Sequence, residues 1–434
     1  MNPTKLVLVS MAILLIANQA DADAPEVGFQ AQIGIASAVE RGGELQKSEL
    51  TFEPRMDVWF GDNVRLTGIG LVRADFTDKL EPGRSSNDAR SSVSSRATFG
   101  DHVEFELREL FVDFELGEMQ ARVGKQQVVW GQADGLRILD VINPLSFREF
   151  ILPDFEDRRI PLWMVNAEVP IGEATLQILW IPDQTYDEFP DPEGSFAFTS
   201  PKFRPVLDLD EIVRVDRARK PNSVVEDSDF GLRLSAFVGG WDLTANYLYH
   251  YQDQPVLLVD RSEAVTRITP TYERTHLIGG SASKAFGDFV FRSELGYSTD
   301  RYFSSVQSIT GVAKTHELSG VLGLDYSGLS DTLISGQFFV SAIDQGEGIV
   351  RDAREENLSL LIRRNFFNDT LTLEMLAIHN MDDSDGVVQL DVSYQFTSNT
   401  TLSAGADVFY GTADGLFGQF NERDRLSLRI VVSL

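Results

Sequence analysis

Eight arginines, Arg55, Arg65, Arg73, Arg233, Arg292, Arg363, Arg425 and Arg429, recur on the polar phase of short alternating segments. They are interleaved with Glu53, Asp57, Asp75, Asp242, Glu294, Asp325 and Asp391. A guanidinium stays charged, and its planar fork grips a carboxylate or phosphate through two hydrogen bonds. Gathered on the inside of a wall, such a set could draw anions along a wet path, as charged rings do in selective pores. Paired with neighbouring carboxylates, the same set would brace the wall, and the sequence leaves both readings open.

Other chemistries are less well supported. Five histidines occur in the chain. His250 falls on a polar phase, and His102, His276, His316 and His379 are scattered singly among segment ends. No spacing joins two of them to a serine in the way that nucleophilic hydrolysis requires, so no enzyme is expected. Asp382, Asp383 and Asp385, and Asp187, Glu188, Asp191 and Glu193, offer oxygen ligands for Ca²⁺ or Mg²⁺. Neither group has the length of a dedicated calcium loop, and no metal or other cofactor is expected.

The elements that carry these residues are strands. From Trp241, the residues Leu243, Ala245, Tyr247, Tyr249 and Tyr251 share one face, against Asp242, Thr244, Asn246 and His250 on the other. Val388, Leu390, Val392, Tyr394 and Phe396 oppose Gln389, Asp391, Ser393 and Gln395, and Leu426, Leu428, Ile430, Val432 and Leu434 end the chain in the same way. Successive side chains of a strand point to opposite faces, so one face meets lipid and the other a wet interior. The chain is 43 % hydrophobic, yet beyond its first residues it has no apolar run long enough for a spanning helix. It can therefore cross a membrane only as a closed antiparallel β-barrel, which satisfies every backbone group.

Tight turns are expected near residues 61–63, 116–118, 170–172, 239–240, 286–288, 327–330, 368–369 and 398–399. Longer polar loops alternate with them near 39–48, 78–101, 130–160, 183–228, 252–272, 299–314, 343–355, 381–386 and 411–423. Nine hairpins give about 18 strands, with short periplasmic turns and long extracellular loops. The weakly patterned segment Leu162 to Val169 leaves 16 as the alternative. Between Val103 and Leu116 the apolar phase passes from Val103, Phe105 and Leu107 to Leu110, Val112 and Phe114, which predicts a β-bulge near Arg108. Trp241, Tyr247, Tyr249, Tyr251, Tyr297, Tyr326, Tyr394 and Tyr410 lie near strand ends, where amphipathic rings favour the membrane interface.

Before the barrel, Lys5, the apolar stretch Leu6 to Ala17 and the small residues Ala20, Ala22 and Ala24 describe a secretory signal peptide. It spans residues 1–22, with cleavage after Ala22 favoured over Ala24 because Pro25 follows the latter. Residues 23–434 then form one barrel. Cysteine is absent, so no disulfide framework or lipoprotein attachment exists. A net charge of −28 excludes a general affinity for nucleic acid.

The loop at 130–160 is the most distinctive stretch. Leu136, Ile138, Leu139, Val141 and Ile142 need something to pack against, and Asn143-Pro144 stops any short helix. The loop is expected to fold into the lumen as a constriction or plug, with Trp130, Gly131, Asp134, Gly135, Asp140, Asn143 and Pro144 as its signature. The alternative is an outward loop packed against its neighbours or a partner.

The run Trp130 to Pro144, preceded by Val123-Gly124-Lys125-Gln126-Gln127, resembles a loop of an outer-membrane family defined only as domain of unknown function 1302. Gly415 to Arg425 is similar to that family's closing hairpin. The resemblance implies a large barrel, similar in plan to alginate-export channels. It also implies partnership with an efflux-type inner-membrane transporter and a periplasmic lipid-carrier-like protein. Barrels of this plan usually end in Phe; here Leu434 is last, with the alternation read by the barrel-assembly machinery intact.

Two functions follow as expectations. The first is a Gram-negative outer-membrane channel for an anionic or amphiphilic solute, embedded among lipid and lipopolysaccharide. The second is a closed barrel whose loop at 183–228, with Phe189, Phe196 and Phe198, binds a ligand or partner.

Overall fold

The computed structural model describes residues 26–83, 89–205, 207, 212–262, 265–346 and 348–434. The expected signal peptide lies outside the described residues. Eighteen antiparallel strands close into a ring in which the first, Glu26–Glu40, pairs with the last, Arg425–Ser433. The closing ladder runs from Gln32 opposite Ser433 to Glu40 opposite Arg425. A further short strand, Ala97–Phe99, pairs with the outer end of Val103–Leu116 and stands outside the ring.

Closure follows from the alternation. Leu390, Val392 and Phe396 are exposed on the outer face, as are Leu426, Leu428 and Leu434, where lipid replaces water as their solvent. The bulge falls where the phase flips. Ile69 pairs with Glu109 and Gly70 with Leu107, so Arg108 is the extra residue. Leu162–Ile171 is ladder-bonded on both sides, to Met119–Gln126 and Ala174–Ile181, which excludes 16 strands.

All eight tight turns and all nine outer connections occur near their expected positions, but several of the latter are shorter than expected, the one expected at 299–314 spanning only 305–311. Strands run to Glu40 and from Leu45, and to Asn380 and from Asp385, leaving only residues 41–44 and 381–384 between them. Polar residues such as Lys47, Ser48 and Asn380 stay in the ladder, because a ladder needs backbone partners rather than apolar side chains. Above the ring, loop segments build a small sheet in which Val256–Asp260 pairs with Thr266–Thr271, and the latter runs parallel to Val213–Val215.

Candidate functional site

The strand ladder sets four of the eight wall arginines directly opposite acids. Arg65 faces Asp113, Arg73 faces Glu104, Arg363 faces Glu374 and Arg425 faces Asp407. Cross-strand neighbours of opposite charge pair, and the distances are 2.7, 2.6, 2.5 and 2.8 Å. Arg55 meets Asp57 at 2.8 Å and Arg429 meets Asp391 at 4.0 Å. Arg292 holds Asp325 at 2.8 Å and the loop's Asp134 at 2.6 Å. Arg233 alone of the eight has no such acid among the described residues; its Nη1 donates to the Val129 carbonyl at 3.4 Å.

The 127–161 loop leaves the wall between the fifth and sixth strands and reaches strands far around the ring. The Asp134 N–H donates to Gln337 Oε1 at 3.0 Å, and Gln337 Nε2 returns a bond to Asp134 Oδ2 at 2.7 Å. Glu294 Oε2 accepts from the Leu139 N–H at 3.2 Å, and Glu294 also accepts from the Gln132 N–H. Gly135 has φ +83°, and a Cβ there would meet Ile378 Cδ1 at 2.7 Å. At Gly131 a Cβ would meet Asp140 Cβ at 2.9 Å. Asp140 is paired with Arg159 at 2.6 Å. The Asn143 side chain ties the loop's two stems, its Oδ1 accepting from Val128 N–H at 2.8 Å and its Nδ2 donating to the Ile160 carbonyl at 2.9 Å. The Pro144 carbonyl accepts from the Ile160 N–H at 2.8 Å.

The first part of this loop is apolar and sealed against the wall. Trp130, Leu139 and Ile142 are buried with Leu162, Met164, Leu179, Ile181, Leu248 and Leu277. The Trp130 indole N–H donates to Gln177 Oε1 at 2.8 Å, so its one polar atom is satisfied. Gly279 seats Leu139, since a Cβ there would lie 2.5 Å from Leu139 Cδ2.

The second part is charged. Arg148 reaches Asp75 at 3.2 Å and Glu81 at 2.6 Å, and pairs with Glu49. Glu149 holds Lys47 at 2.5 Å and Arg425 at 2.7 Å. Burial would raise the Glu149 carboxyl, but Lys47, Arg425 and Arg148 hold it well below the usual carboxylate range. Arg96, from the 76–102 loop, meets Glu188 at 2.6 Å and Glu104 at 3.0 Å, joining two loops and the wall.

Between this charged half and the first four and last five strands lies a cavity of about 650 Å³. Its lining carries Lys47 and nine arginines against nine carboxylates, in a chain whose net charge is −28. The cavity lining is thus close to neutral, and the excess negative charge lies elsewhere. Of the eight arginines read from strand phase, Arg73, Arg363, Arg425 and Arg429 line this cavity. Arg90, Arg96, Arg108, Arg148 and Arg158 also line it and were missed. Four of these stand on loops and Arg108 is the bulged residue, so strand periodicity is silent about all five. The usable signal was composition: Arg148, Arg158 and Arg159 lie among Phe and Ile in a segment already read as lumenal. Burial, then the nearby Arg137 and Arg159, push the Arg158 guanidinium down to about 9.

Over the cavity, Phe150 packs with Phe196, Phe198, Phe409, Phe417 and Phe420. Phe196 and Phe198, expected as a docking surface, are therefore spent on internal packing. The acidic hairpin is also engaged internally. Lys202 Nζ meets Asp383 at 2.5 Å, and Asp385 Oδ2 accepts the N–H groups of Phe417 and Gly418 at 2.7 and 2.9 Å. His379 hydrogen-bonds the Tyr410 hydroxyl at 3.0 Å and His276 that of Tyr247 at 2.9 Å, as wall residues do.

Among proteins of curated function none matches this chain. Several solved outer-membrane proteins share its fold. OpdK from Pseudomonas aeruginosa is 9 % identical with a TM-score of 0.52, covering 94 % of this chain and 99 % of its own. OccAB2 from Acinetobacter baumannii is 11 % identical with a TM-score of 0.53, covering 96 % and 99 %. OccK2 (OpdF) of Pseudomonas aeruginosa, solved in complex with glucuronate, is 11 % identical with a TM-score of 0.51, also covering 96 % and 99 %. At such identities the likeness is one of fold, that of outer-membrane barrel porins. Residues 71–434 match the family model described as Protein of unknown function (DUF1302), and the chain belongs to that family.

Proposed function

We propose that this protein is an outer-membrane channel that passes an anionic or amphiphilic solute by diffusion, through a lumen narrowed by the 127–161 loop. The observation that carries the reading is the lining of the 650 Å³ cavity, which gathers ten basic side chains in a chain of net charge −28. An acidic exterior alone would favour cations; a cavity lining held near neutrality by arginines removes that bias along the cavity. The pairing of seven wall arginines does not abolish this role, because a paired arginine keeps donors for a passing carboxylate. Arg65 and Arg363, for example, remain partly exposed.

The reading needs no chemistry at the site and therefore no enzyme. Vesicle swelling tests it. Small carboxylates should enter proteoliposomes faster than amines of equal size, and faster entry of the amines would overturn it. On the resemblance alone, we also propose that the barrel is the outer leg of a route served by an efflux-type inner-membrane transporter and a periplasmic lipid-carrier-like protein. Crosslinking from the 61–63 and 172–173 turns to such a carrier is the expected result, and its absence in intact cells would remove the proposal.

A further inference from the structure

Eight of the nine arginines that line the cavity have partners. Seven are in ion pairs, and Arg108 donates to the carbonyls of Glu156 and Asp157 at 3.0 and 3.3 Å. Arg158 differs. It is buried, at 5 % exposure, and lines the same cavity. Its Nε has no hydrogen-bond partner, as is also true of Arg73, Arg90 and Arg96; what sets it apart is that among the described residues its guanidinium has neither a hydrogen bond nor an acid within 4.0 Å. One face of it lies 4.4 Å from the centre of the Phe155 ring. A desolvated cation without a counter-charge is costly, yet the fold holds it there through a backbone bond from Arg158 N–H to the Asp154 carbonyl and another from Ser146 N–H to the Arg158 carbonyl.

We propose that Arg158 is the holding point for a singly charged carboxylate with an apolar body, a subsite that rests on the channel reading above. The fork of an unpaired guanidinium matches a carboxylate bidentately. Phe155, Ile151, Leu152 and Ile160 supply apolar wall in the same cavity, enough to seat a ring or short hydrocarbon. Asp154 and Asp157 also line it. They repel a second negative charge, which selects against phosphate and dicarboxylates. A solute would pass the paired arginines and dwell at the unpaired one.

The test is calorimetric titration of the refolded barrel with benzoate, acetate and inorganic phosphate, for the wild type, Arg158→Gln and Arg158→Lys. Benzoate should bind more tightly than acetate or phosphate. Arg158→Gln should weaken it by roughly tenfold or more, and Arg158→Lys by less, since a point charge remains but the fork is lost. If Arg158→Gln does not refold, the Lys variant decides. Equal benzoate binding in the wild type and the variant would overturn the proposal. So would no binding by the wild type, or tighter binding of phosphate than of benzoate. Bilayer selectivity separates this subsite from the channel reading. Arg158-dependent binding in a barrel that carries no anions would sink the channel and keep the subsite; anion currents with no such binding would do the reverse.

Discussion

The two halves of the 127–161 loop meet opposite walls of the same barrel in opposite ways. Its first half presents Trp130, Leu139 and Ile142 to inward-facing Leu179, Leu248 and Leu277, and the contact is dry. Its second half presents Arg148 and Glu149 to Lys47, Glu49, Asp75 and Arg425, and a 650 Å³ cavity remains there. Apolar surfaces close on each other because contact removes them from water. Charged ones meet at points and leave polar space between. One loop therefore both seals one side of the lumen and frames a cavity on the other.

The strongest way to break this contrast is to remove the seal. Deleting residues 131–146 should raise single-channel conductance several-fold, measured in planar bilayers; unchanged conductance would mean that the loop does not narrow the path. Trp130→Ala empties the centre of the apolar cluster and should cost ~3–5 kcal/mol in denaturant unfolding, with anion selectivity retained. On the charged side, Arg425→Gln leaves Glu149 and Asp407 without their shared buried cation. It should cost about 3 kcal/mol, since removing one member of a buried pair strands the other. By contrast Arg363→Gln breaks a pair whose arginine is 48 % exposed and should cost less than ~1 kcal/mol.

Acid should act on the charged side only, and least of all. Burial alone would raise the Glu81 carboxyl, but Arg148, Arg96 and Arg73 hold it down at about 2, against an ordinary 4.5. In the unfolded chain that group takes up its proton first. Its contribution is therefore full above pH 4.5 and fades as the pH falls through about 2. Protease nicking of the 76–102 loop should increase across that window while Trp130 fluorescence stays constant.

The barrel was legible because each strand carries its own period of two. Even the slip at Arg108 could be read, since an unpaired residue must move every later side chain to the other face. The apolar seat of the loop was partly legible in Leu248, which breaks the polar phase of Thr244, Asn246 and His250. The charged cavity was much less so. Its wall arginines follow strand phase, but Arg90, Arg96, Arg148 and Arg158 sit on loops, where no period says which way a side chain points. Their partners are set by chain segments that meet only after closure, such as Glu149 with Arg425 at 2.7 Å.

The most direct test of the account is the reversal potential of the refolded protein in a planar bilayer under a salt gradient. An anion-selective potential, reduced when Arg425 and Arg429 are both replaced by Gln, is the predicted result. A cation-selective potential, or silence from well-folded protein, would contradict it.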